Sequence, residues 1–372
     1  MKLTASPWIV AIILGLLAGC SDSPEEKLRK LFIQDKALAE KGLATAQYDT
    51  GINYAFGKGV EKDPAQAVLW YRMAAEQANE AAQYNLGVCY FDGEGVEKDF
   101  VQAALWFRKA AKQGNYKAQY NLGVCYERGL GAEKDPVQAT YWYLKAAEQG
   151  DAKAQYNLGV CLEYGAGVER NLTQAVWWYR KAAEQEHIRA QYNLGICYFN
   201  GVGVTKDQAE AASWFRKAAD HGFAKAQYNL GICYFNGVGV TKDQAEAASW
   251  FRKAADQGFA DAQHDLGSCY DKGAGVPKNA LEAVKWWRKA AVQGYSRAQA
   301  MMGLCYGIGY GVTKDEVEAY AYYNLAGIAD IRKTRDNLEK TMSAENVLRG
   351  QQRTKELQKE IQAMAAAKAA GK

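Results

Sequence analysis

A hexapeptide with the sequence Ala-Gln-Tyr-Asn-Leu-Gly, complete or degenerate, recurs along this chain every 36 residues without insertion or deletion. Its copies begin at residues 46, 82, 118, 154, 190, 226, 262 and 298. A repeat of this length, made of helix-forming segments, cannot bury its apolar side chains alone and must stack on neighbouring copies. The period therefore predicts an all-α fold, a stacked solenoid of eight helix-turn-helix repeats with capping helices at its ends.

The third copy shows how each repeat is expected to fold. Ala118, Leu122 and Cys125 are spaced by four and three residues, which places them on one face of a first helix. Residues 129–131, Gly-Leu-Gly, follow as a turn, because glycine adopts the positive φ that a helix reversal needs. Asp135 then stands where its side chain can cap a second helix. The equivalent caps are Asp63, Asp99, Asn171, Asp207, Asp243, Asn279 and Asp315.

Two kinds of glycine recur at fixed places in the repeat. Gly123 interrupts the first helix at a cost of about 1 kcal/mol relative to alanine, and its recurrence predicts that the second helix packs close to it. A pair of glycines occupies the turn of every copy. Phosphate-binding loops also contain paired glycines, but such a loop follows a strand and would not appear eight times. A helix reversal is the favoured interpretation.

Tryptophan and cysteine also recur about once per repeat. Tryptophan in the second helix precedes a small apolar pair, and we interpret it as core packing at the helix junction rather than as a sugar-stacking platform. Equivalent helices stack about 8–10 Å apart, whereas a disulfide needs Cα atoms within about 7 Å, so the cysteines are predicted to be buried free thiols. One cysteine per repeat does not supply converging metal ligands, and we predict no metal site. The cysteines are Cys89, Cys125, Cys161, Cys197, Cys233, Cys269 and Cys305.

The consensus runs Ala-x-Tyr-x-Leu-Gly, then Gly-x-Gly-Val-x-Lys-Asp, then Ala-x-x-Trp-x-Arg-Lys-Ala-Ala-x-x-Gly. It resembles the Sel-1-like repeat family, relatives of the tetratricopeptide repeats, over residues 46–331. The resemblance implies a right-handed α/α superhelix with a concave face that binds other proteins. The chain is then expected to be a non-catalytic scaffold or adaptor for protein or peptide partners, without a cofactor, and a monomer.

The first residues resemble a bacterial lipoprotein signal. Lys2 precedes an apolar stretch that is too short for a bilayer-crossing helix of about 20 residues and ends in Leu-Ala-Gly-Cys. The resemblance implies that residues 1–19 are removed and that Cys20 carries a membrane-anchoring lipid. Ser21, rather than aspartate, follows, which implies the outer membrane of a double-membraned cell and a protein that faces the periplasm. The alternative is a soluble secreted protein with an accidental cysteine.

The remaining segments complete the expected organisation. Residues 20–45 form a tether and a capping helix, the helix covering about 24–42, and residues 332–372 form a C-terminal capping helix and a basic tail. The tail contains ten Lys or Arg against five Asp or Glu, and we interpret it as a solvated helix, although it could also lie against anionic lipid. Ser343 is expected to cap the last helix, which ends near residue 364 and docks through Leu357, Ile361 and Met364. The rest of the mature chain is slightly acidic, which argues against a nucleic-acid surface.

The inventory of reactive residues argues against catalysis. The three histidines, His187, His221 and His264, lie in different repeats, and the chain lacks the common hydrolase and phosphate-binding motifs. The main enzymatic alternative is a cysteine-rich Sel-1-like protein that binds or hydrolyses β-lactams. Such proteins resemble repeats with two paired cysteines each, and this chain has one. A structural lipoprotein associated with peptidoglycan is a further alternative.

Two positions of the first helix vary between copies and lie off the core stripe, so they are the candidate partner-binding face. An exposed aliphatic and aromatic row at these positions would suit a partner helix or an extended segment. The same side chains could instead pack between successive repeats, and the sequence leaves both possibilities open. The residues are Val88, Phe91, Val124, Glu127, Val160, Glu163, Ile196, Phe199, Ile232 and Phe235.

Overall fold

The computed structural model describes residues 23–370, which fall into two compact units, residues 23–170 and 171–370. The described part of the chain is helical and contains no strand. Its first and second helices alternate as the repeat predicts, and the fold is an α/α solenoid of eight helix-turn-helix repeats. The predicted signal and Cys20 lie outside the described residues.

The first unit contains a leading helix, three complete repeats and the first helix of the fourth repeat. Its helices are α1 (Pro24–Glu40), α2 (Ala44–Phe56), α3 (Pro64–Glu76), α4 (Glu80–Asp92), α5 (Phe100–Lys112), α6 (Tyr116–Arg128), α7 (Pro136–Glu148) and α8 (Ala152–Tyr164). The leading helix α1 packs against α2. A helix was expected over residues 24–42, and the structure confirms it with an end two residues earlier.

The second unit contains the second helix of the fourth repeat, four complete repeats and two further helices. Its helices are α9 (Leu172–Glu184), α10 (Ile188–Asn200), α11 (Gln208–Asp220), α12 (Ala224–Asn236), α13 (Gln244–Asp256), α14 (Ala260–Lys272), α15 (Ala280–Ala291), α16 (Ser296–Ile308), α17 (Glu316–Ala326), α18 (Ala329–Glu339) and α19 (Ala344–Ala370).

The ends of the helices follow the sequence signals. Every predicted cap accepts a hydrogen bond from a backbone amide in the first turn of the second helix. The first helices end at turn glycines with positive φ, such as Gly129 at 70°. Ala78 and Glu186 adopt φ values of 63° and 62° at positions where most other repeats have glycine. Since this conformation costs a residue with a Cβ about 1–2 kcal/mol, packing of the repeat imposes it there.

The close approach predicted for the glycine within the first helix is confirmed. A Cβ on Gly123 would lie 2.6 Å from the Cε1 atom of Tyr143, a ring carbon on the second helix. The ring belongs to the residue that follows the tryptophan of the second helix. The predicted core packing of the tryptophan is confirmed for Trp106, which is 7% exposed and packs into the core of the preceding repeat. The rings that cover the helix glycines are Tyr71, Phe107, Tyr143, Phe215, Phe251, Trp287 and Tyr323.

Buried glutamines connect successive repeats. The side chain of Gln83, from the hexapeptide, is 4% exposed and donates to the carbonyl oxygen of Ala75 at 3.1 Å. Gln113, at the end of the next second helix, donates to the Oε1 atom of Gln83 at 2.8 Å and to the carbonyl oxygen of Ala78. Because a buried amide without partners would cost free energy, this relay explains why the motif requires glutamine.

The cysteines are free thiols, as predicted. Six of the seven in the described chain are buried, and Cys89 is half-buried. Burial raises the pKa of Cys125, Cys233 and Cys269 to about 11. Such thiols are protonated near neutral pH and act as small apolar side chains of the core.

The C-terminal helix is longer than expected. Ser343 accepts a hydrogen bond from the amide of Asn346 at 3.2 Å, which confirms the predicted cap. The helix was expected to end near residue 364, but it continues to Ala370, since its alanine-rich end favours helix. Leu357 is buried beside Tyr322, so part of the expected docking face is confirmed. No described helix has the length and apolar character required to cross a membrane.

Candidate partner-binding face

The ten residues of the candidate face lie on the first helices of repeats two to six. They occupy two positions three residues apart, so each pair shares one side of its helix. Glu127 is exposed and the other nine are half-buried. The row is therefore partly accessible, and binding by these residues stays a prediction.

The buried part of the row packs on the second helix of the same repeat. The rings of Phe199 and Phe215 have centroids 6.3 Å apart, and Phe91 lies 6.2 Å from Phe107. Ile232 and Phe235 pack against the core cluster around Phe251. These contacts fix the side chains in place, which lowers the entropy that a partner would have to remove on binding.

The acidic members of the row make different contacts. Glu127 accepts a hydrogen bond from the hydroxyl of Tyr143 at 2.9 Å. Burial raises the pKa of Tyr143, and the charge of Glu127 raises it further. The carbonyl oxygen of Glu163 accepts a hydrogen bond from the Nε atom of Arg170 at 2.9 Å. The row thus changes from apolar in the second repeat to acidic in the third and fourth, and becomes apolar again in the fifth and sixth.

A row of tyrosines accompanies the candidate face, and the sequence analysis did not identify it. Each is the tyrosine of the hexapeptide, and its ring tilts against the aromatic ring of the second helix, as for Tyr192 and Phe215 at 6.0 Å. Burial raises the pKa of Tyr192, and a hydrogen bond with Asn229 of the next repeat opposes this effect. The recurrence of Tyr-Asn in the second to sixth repeats was the available signal.

The seventh repeat departs from this pattern. It has His264 and Asp265 in place of tyrosine and asparagine. Asp265 accepts a hydrogen bond from the hydroxyl of Tyr228 at 3.0 Å, and its other oxygen lies 2.8 Å from the Nδ1 atom of His264. Burial raises the pKa of Tyr228, and the carboxylate of Asp265 raises it further. The pair places a carboxylate where the second to sixth repeats have a neutral amide.

A groove lies between the first helices of the sixth and seventh repeats, α12 and α14. It has a volume of about 320 Å³ and a mostly apolar lining. Ser268 lines it, at the position where all six preceding repeats have valine or isoleucine. The other lining residues are Ile232, Phe235, Asn236, Phe251, His264, Asp265, Cys269 and Lys272. The candidate residues Ile232 and Phe235 therefore form one wall of a concave site.

The remaining chemistry of the described chain is sparse. His187 caps the helix α10, accepting a hydrogen bond from the amide of Ala190 at 3.2 Å, and His221 is exposed at the end of α11. No group of three or more His, Cys, Asp or Glu side chains within residues 23–370 could hold a metal ion.

Comparison with known proteins identifies the repeat. The model of the Sel1 repeat matches eight consecutive segments, at residues 44–79, 80–115, 117–151, 152–187, 188–223, 224–259, 260–295 and 296–329. The chain belongs to the Sel1 repeat family. Proteins of this family serve as scaffolds for protein–protein interaction and are typically non-catalytic. No curated protein matches the chain.

Two solved structures are similar over most of the Sel1 repeat protein described here. A Sel1 repeat protein from Oxalobacter formigenes shares 30% identity, with 85% of this chain and 94% of that chain covered and a TM-score of 0.64. A protective antigen present in uropathogenic Escherichia coli strains, which displays an SLR fold, shares 29% identity. There the coverage is 91% of this chain and 97% of that chain, with a TM-score of 0.58.

Proposed function

We propose that this Sel1 repeat protein is a lipid-anchored scaffold of the bacterial cell envelope that binds protein or peptide partners through its first helices. The observation that carries the proposal is the half-buried apolar part of the candidate face on α10 and α12, which reaches the groove between α12 and α14. Partly exposed apolar surfaces rimmed by polar residues are typical of protein-interaction sites and binding grooves. The scaffold role of the family supports the same conclusion.

The envelope location rests on the first residues of the chain. The sequence Leu-Ala-Gly-Cys before position 21 is the feature that supports lipid attachment at Cys20. The similar E. coli protein is a protective antigen, and an envelope location for this chain is compatible with that role. In the proposed arrangement the lipid holds the scaffold at the outer membrane, facing the periplasm, and the repeats act as a monomer.

Lipid attachment is tested with the variant Cys20→Ser. We expect the natural chain to incorporate labelled palmitate and to remain with membranes, and the variant to lose both properties. A control variant, Cys89→Ser, changes a thiol of the fold and should retain the label. Palmitate incorporation by Cys20→Ser would contradict anchoring at this residue.

Partner binding is tested by photocrosslinking in cells from the two near-identical repeats. Asn200 and Asn236 are exposed at the ends of α10 and α12, whereas Ser213 and Ser249 are exposed on the second helices α11 and α13. A photoreactive residue at either asparagine position should capture a partner protein, and the same residue at either serine position should not. Equal yields of crosslinked partner from the asparagine and serine positions would contradict partner binding that is specific to the first helices.

A further inference from the structure

We propose that the exposed face of the second helices in the first unit lies against an anionic lipid surface. The inference rests on the proposed lipid anchor and specifies which surface of the scaffold meets the membrane. It follows from an exposed apolar row, from the cations that flank this row and from its nearness to Cys20 along the chain. The second-helix row consists of Ile33, Leu69, Leu105 and Tyr141.

The four members of the second-helix row share one position of the 36-residue period. They lie on α1, α3, α5 and α7, and their side chains are 57%, 50%, 40% and 45% exposed. Helix α1 has the register of a second helix, because Gly42 ends it with positive φ as Ala78 ends α3. Gln77 donates to the carbonyl oxygen of Gly42, as Gln113 donates to that of Ala78. Since equivalent residues of stacked repeats face the same side, the four side chains form one exposed apolar row.

Further apolar side chains widen the row. Val101 and Val137 lie one helical turn before members of the row and are 62% and 60% exposed, and Met73 lies one turn after another member and is 43% exposed. An extended apolar patch of this kind is typical of a surface that contacts a protein or a membrane. The apolar character of the position is lost in the second unit after α9. Its residues there are Trp177 on α9, Ser213 on α11, Ser249 on α13 and Lys285 on α15.

Cations flank the second-helix row. Residues three and four positions from a given residue lie on the same side of a helix. At these positions around the four members there are seven Lys or Arg and no carboxylate. The Nζ atom of Lys109 lies 3.9 Å from the centroid of the Trp106 ring, and that of Lys145 lies 6.0 Å from the centroid of the Tyr141 ring. The seven cations are Arg29, Lys30, Lys36, Arg72, Arg108, Lys109 and Lys145.

The carboxylates of these helices lie farther from the row than the cations. The four helices together contain nine Lys or Arg against six Asp or Glu. Asp35 accepts a hydrogen bond from the Nδ2 atom of Asn53 on α2 at 3.1 Å, and Glu26 accepts one from the backbone amide of Ser23 at the start of α1. The other carboxylates are Glu25 in the first turn of α1 and, in the last turns of α1, α3 and α7, Glu40, Glu76 and Glu148.

The combination of side chains selects a lipid surface as the occupant. Apolar residues and an aromatic residue that are flanked by lysine and arginine are typical of protein surfaces that lie in a membrane interface. Each cation near an anionic lipid surface raises the affinity for it about fivefold. The cations therefore favour anionic over neutral lipid, and the apolar row adds burial at the boundary of the acyl chains.

The position of the row along the chain supports the same occupant. Four peptide units join Cys20 to Pro24, the first residue of α1, and they span at most about 14 Å when fully extended. A lipid on Cys20 would hold α1, which contributes Ile33 to the row, within that distance of the membrane. Because tethering raises the effective concentration of the surface, even a weak contact would then be populated.

The test uses residues 20–372 produced without lipid, so that the anchor does not contribute to binding. Flotation measures partition into vesicles of phosphatidylcholine and phosphatidylglycerol in equal amounts, and into vesicles of phosphatidylcholine alone. Partition should be at least about tenfold stronger into the anionic vesicles and should weaken as salt is added. Equal partition into both kinds of vesicle, or no partition at millimolar lipid, would overturn the proposal.

Variants of the protein locate the contact. Leu69→Ser combined with Leu105→Ser should weaken partition into the anionic vesicles at least about tenfold and leave the melting temperature unchanged, because both side chains are exposed. The matched control, Phe56→Ser combined with Tyr164→Ser, removes two exposed rings at the ends of the first helices α2 and α8 and should leave partition unchanged. Unchanged partition in the leucine variant, or an equal loss in the control, would overturn the assignment of the row.

A charge variant tests the cations without removing apolar contacts. Lys109→Gln combined with Lys145→Gln should weaken partition into the anionic vesicles at least about fivefold and leave partition into neutral vesicles unchanged. This variant also decides the question if the leucine variant does not fold. Equal partition of the lysine variant and the natural chain into the anionic vesicles would contradict an electrostatic contact at the row.

The outcomes separate this inference from its competitors. A dimer of the natural chain that dissociates in the leucine variant, as measured by analytical ultracentrifugation, would assign the row to a second copy and overturn the membrane contact. The lipid anchor is tested separately, because palmitate labelling depends on Cys20 whereas vesicle binding of the lipid-free chain does not. Loss of vesicle binding with palmitate labelling retained would remove the row and leave the anchor.

Discussion

Helices α12 and α14 have the same length and the same place in successive repeats, yet they contribute different side chains to the groove that lies between them. Both begin after a phenylalanine and end at a glycine with φ near 70°. Both place a glycine against an aromatic ring of the second helix. The difference arises from side chains, chiefly Ile232 against Ser268 and Tyr228 against His264. The 36-residue repeat determines the backbone of both helices, and the side chains that depart from the consensus line the groove.

The largest effect on stability should follow from replacing the glycine that each of the two helices packs against an aromatic ring. A Cβ on Gly231 would lie 2.6 Å from the ring of Phe251, so Gly231→Ala should lower the free energy of unfolding by about 2–3 kcal/mol. The control Gly258→Ala has open space around its Cβ and φ of +82°, and should cost only about 1 kcal/mol. Urea denaturation measures both. A Gly231→Ala variant as stable as the natural chain would show that the close approach does not matter.

The next largest effect on stability should follow from exchanging the side chains at the position where α12 has Ile232 and α14 has Ser268. Ile232→Ser removes a half-buried apolar group that packs near Phe251, and should lower the free energy of unfolding by about 1–2 kcal/mol. Ser268→Ile fills the groove and should leave stability equal or higher by up to about 1 kcal/mol. The same urea series tests the pair. Losses of equal size in both variants would mean that α14 is packed as tightly as α12.

A smaller effect should show that packing, rather than the local residue, imposes the backbone. Glu186 has φ of 62° where the next three repeats have glycine. Glu186→Gly should therefore raise the free energy of unfolding by about 1 kcal/mol, because glycine adopts this φ without a steric penalty. Glu184→Gly, two residues earlier within α9, should instead lower it by about 1 kcal/mol. A loss of stability in Glu186→Gly would contradict this account.

The smallest effect concerns thiol access. Burial raises the pKa of both Cys125 and Cys269 to about 11, so the reactive thiolate is the minor form below that pH. Alkylation of each should become about tenfold faster per pH unit between about pH 8 and 10. Cys269 lines the groove, whereas Cys125 is 0% exposed in its core, so Cys269 should react several-fold faster. Peptide mapping by mass spectrometry gives both rates, and equal rates would indicate that the groove is closed.

The sequence predicts the structural features that recur in every 36-residue repeat. The helix caps, the turn glycines, the buried cysteines and the close approach at Gly123 are each repeated, so one physical argument applies to many copies. The sequence does not identify the ring that covers the helix glycine, because adjacent aromatic residues such as Trp142 and Tyr143 satisfy the same apolar pattern. Only the three-dimensional contact shows that Tyr143 covers Gly123.

Features that depend on a single copy were not predicted. The groove requires the combined loss of isoleucine and tyrosine at Ser268 and His264, and the consensus conceals such exceptions. The half-buried state of the candidate row was left open, because a side chain on the flank of a helix can pack and remain partly accessible at once. Comparing each copy with its neighbours, position by position, would have drawn attention to the seventh repeat.

The most direct test of the account identifies the partner residue that is crosslinked to position 236. A photoreactive residue replaces Asn236 beside the groove, and a second variant carries it at Ser249 on the second helix of the same repeat; mass spectrometry then maps the products. The account predicts that one partner protein is crosslinked to position 236. Equal products from position 249, or links scattered over many proteins, would contradict it.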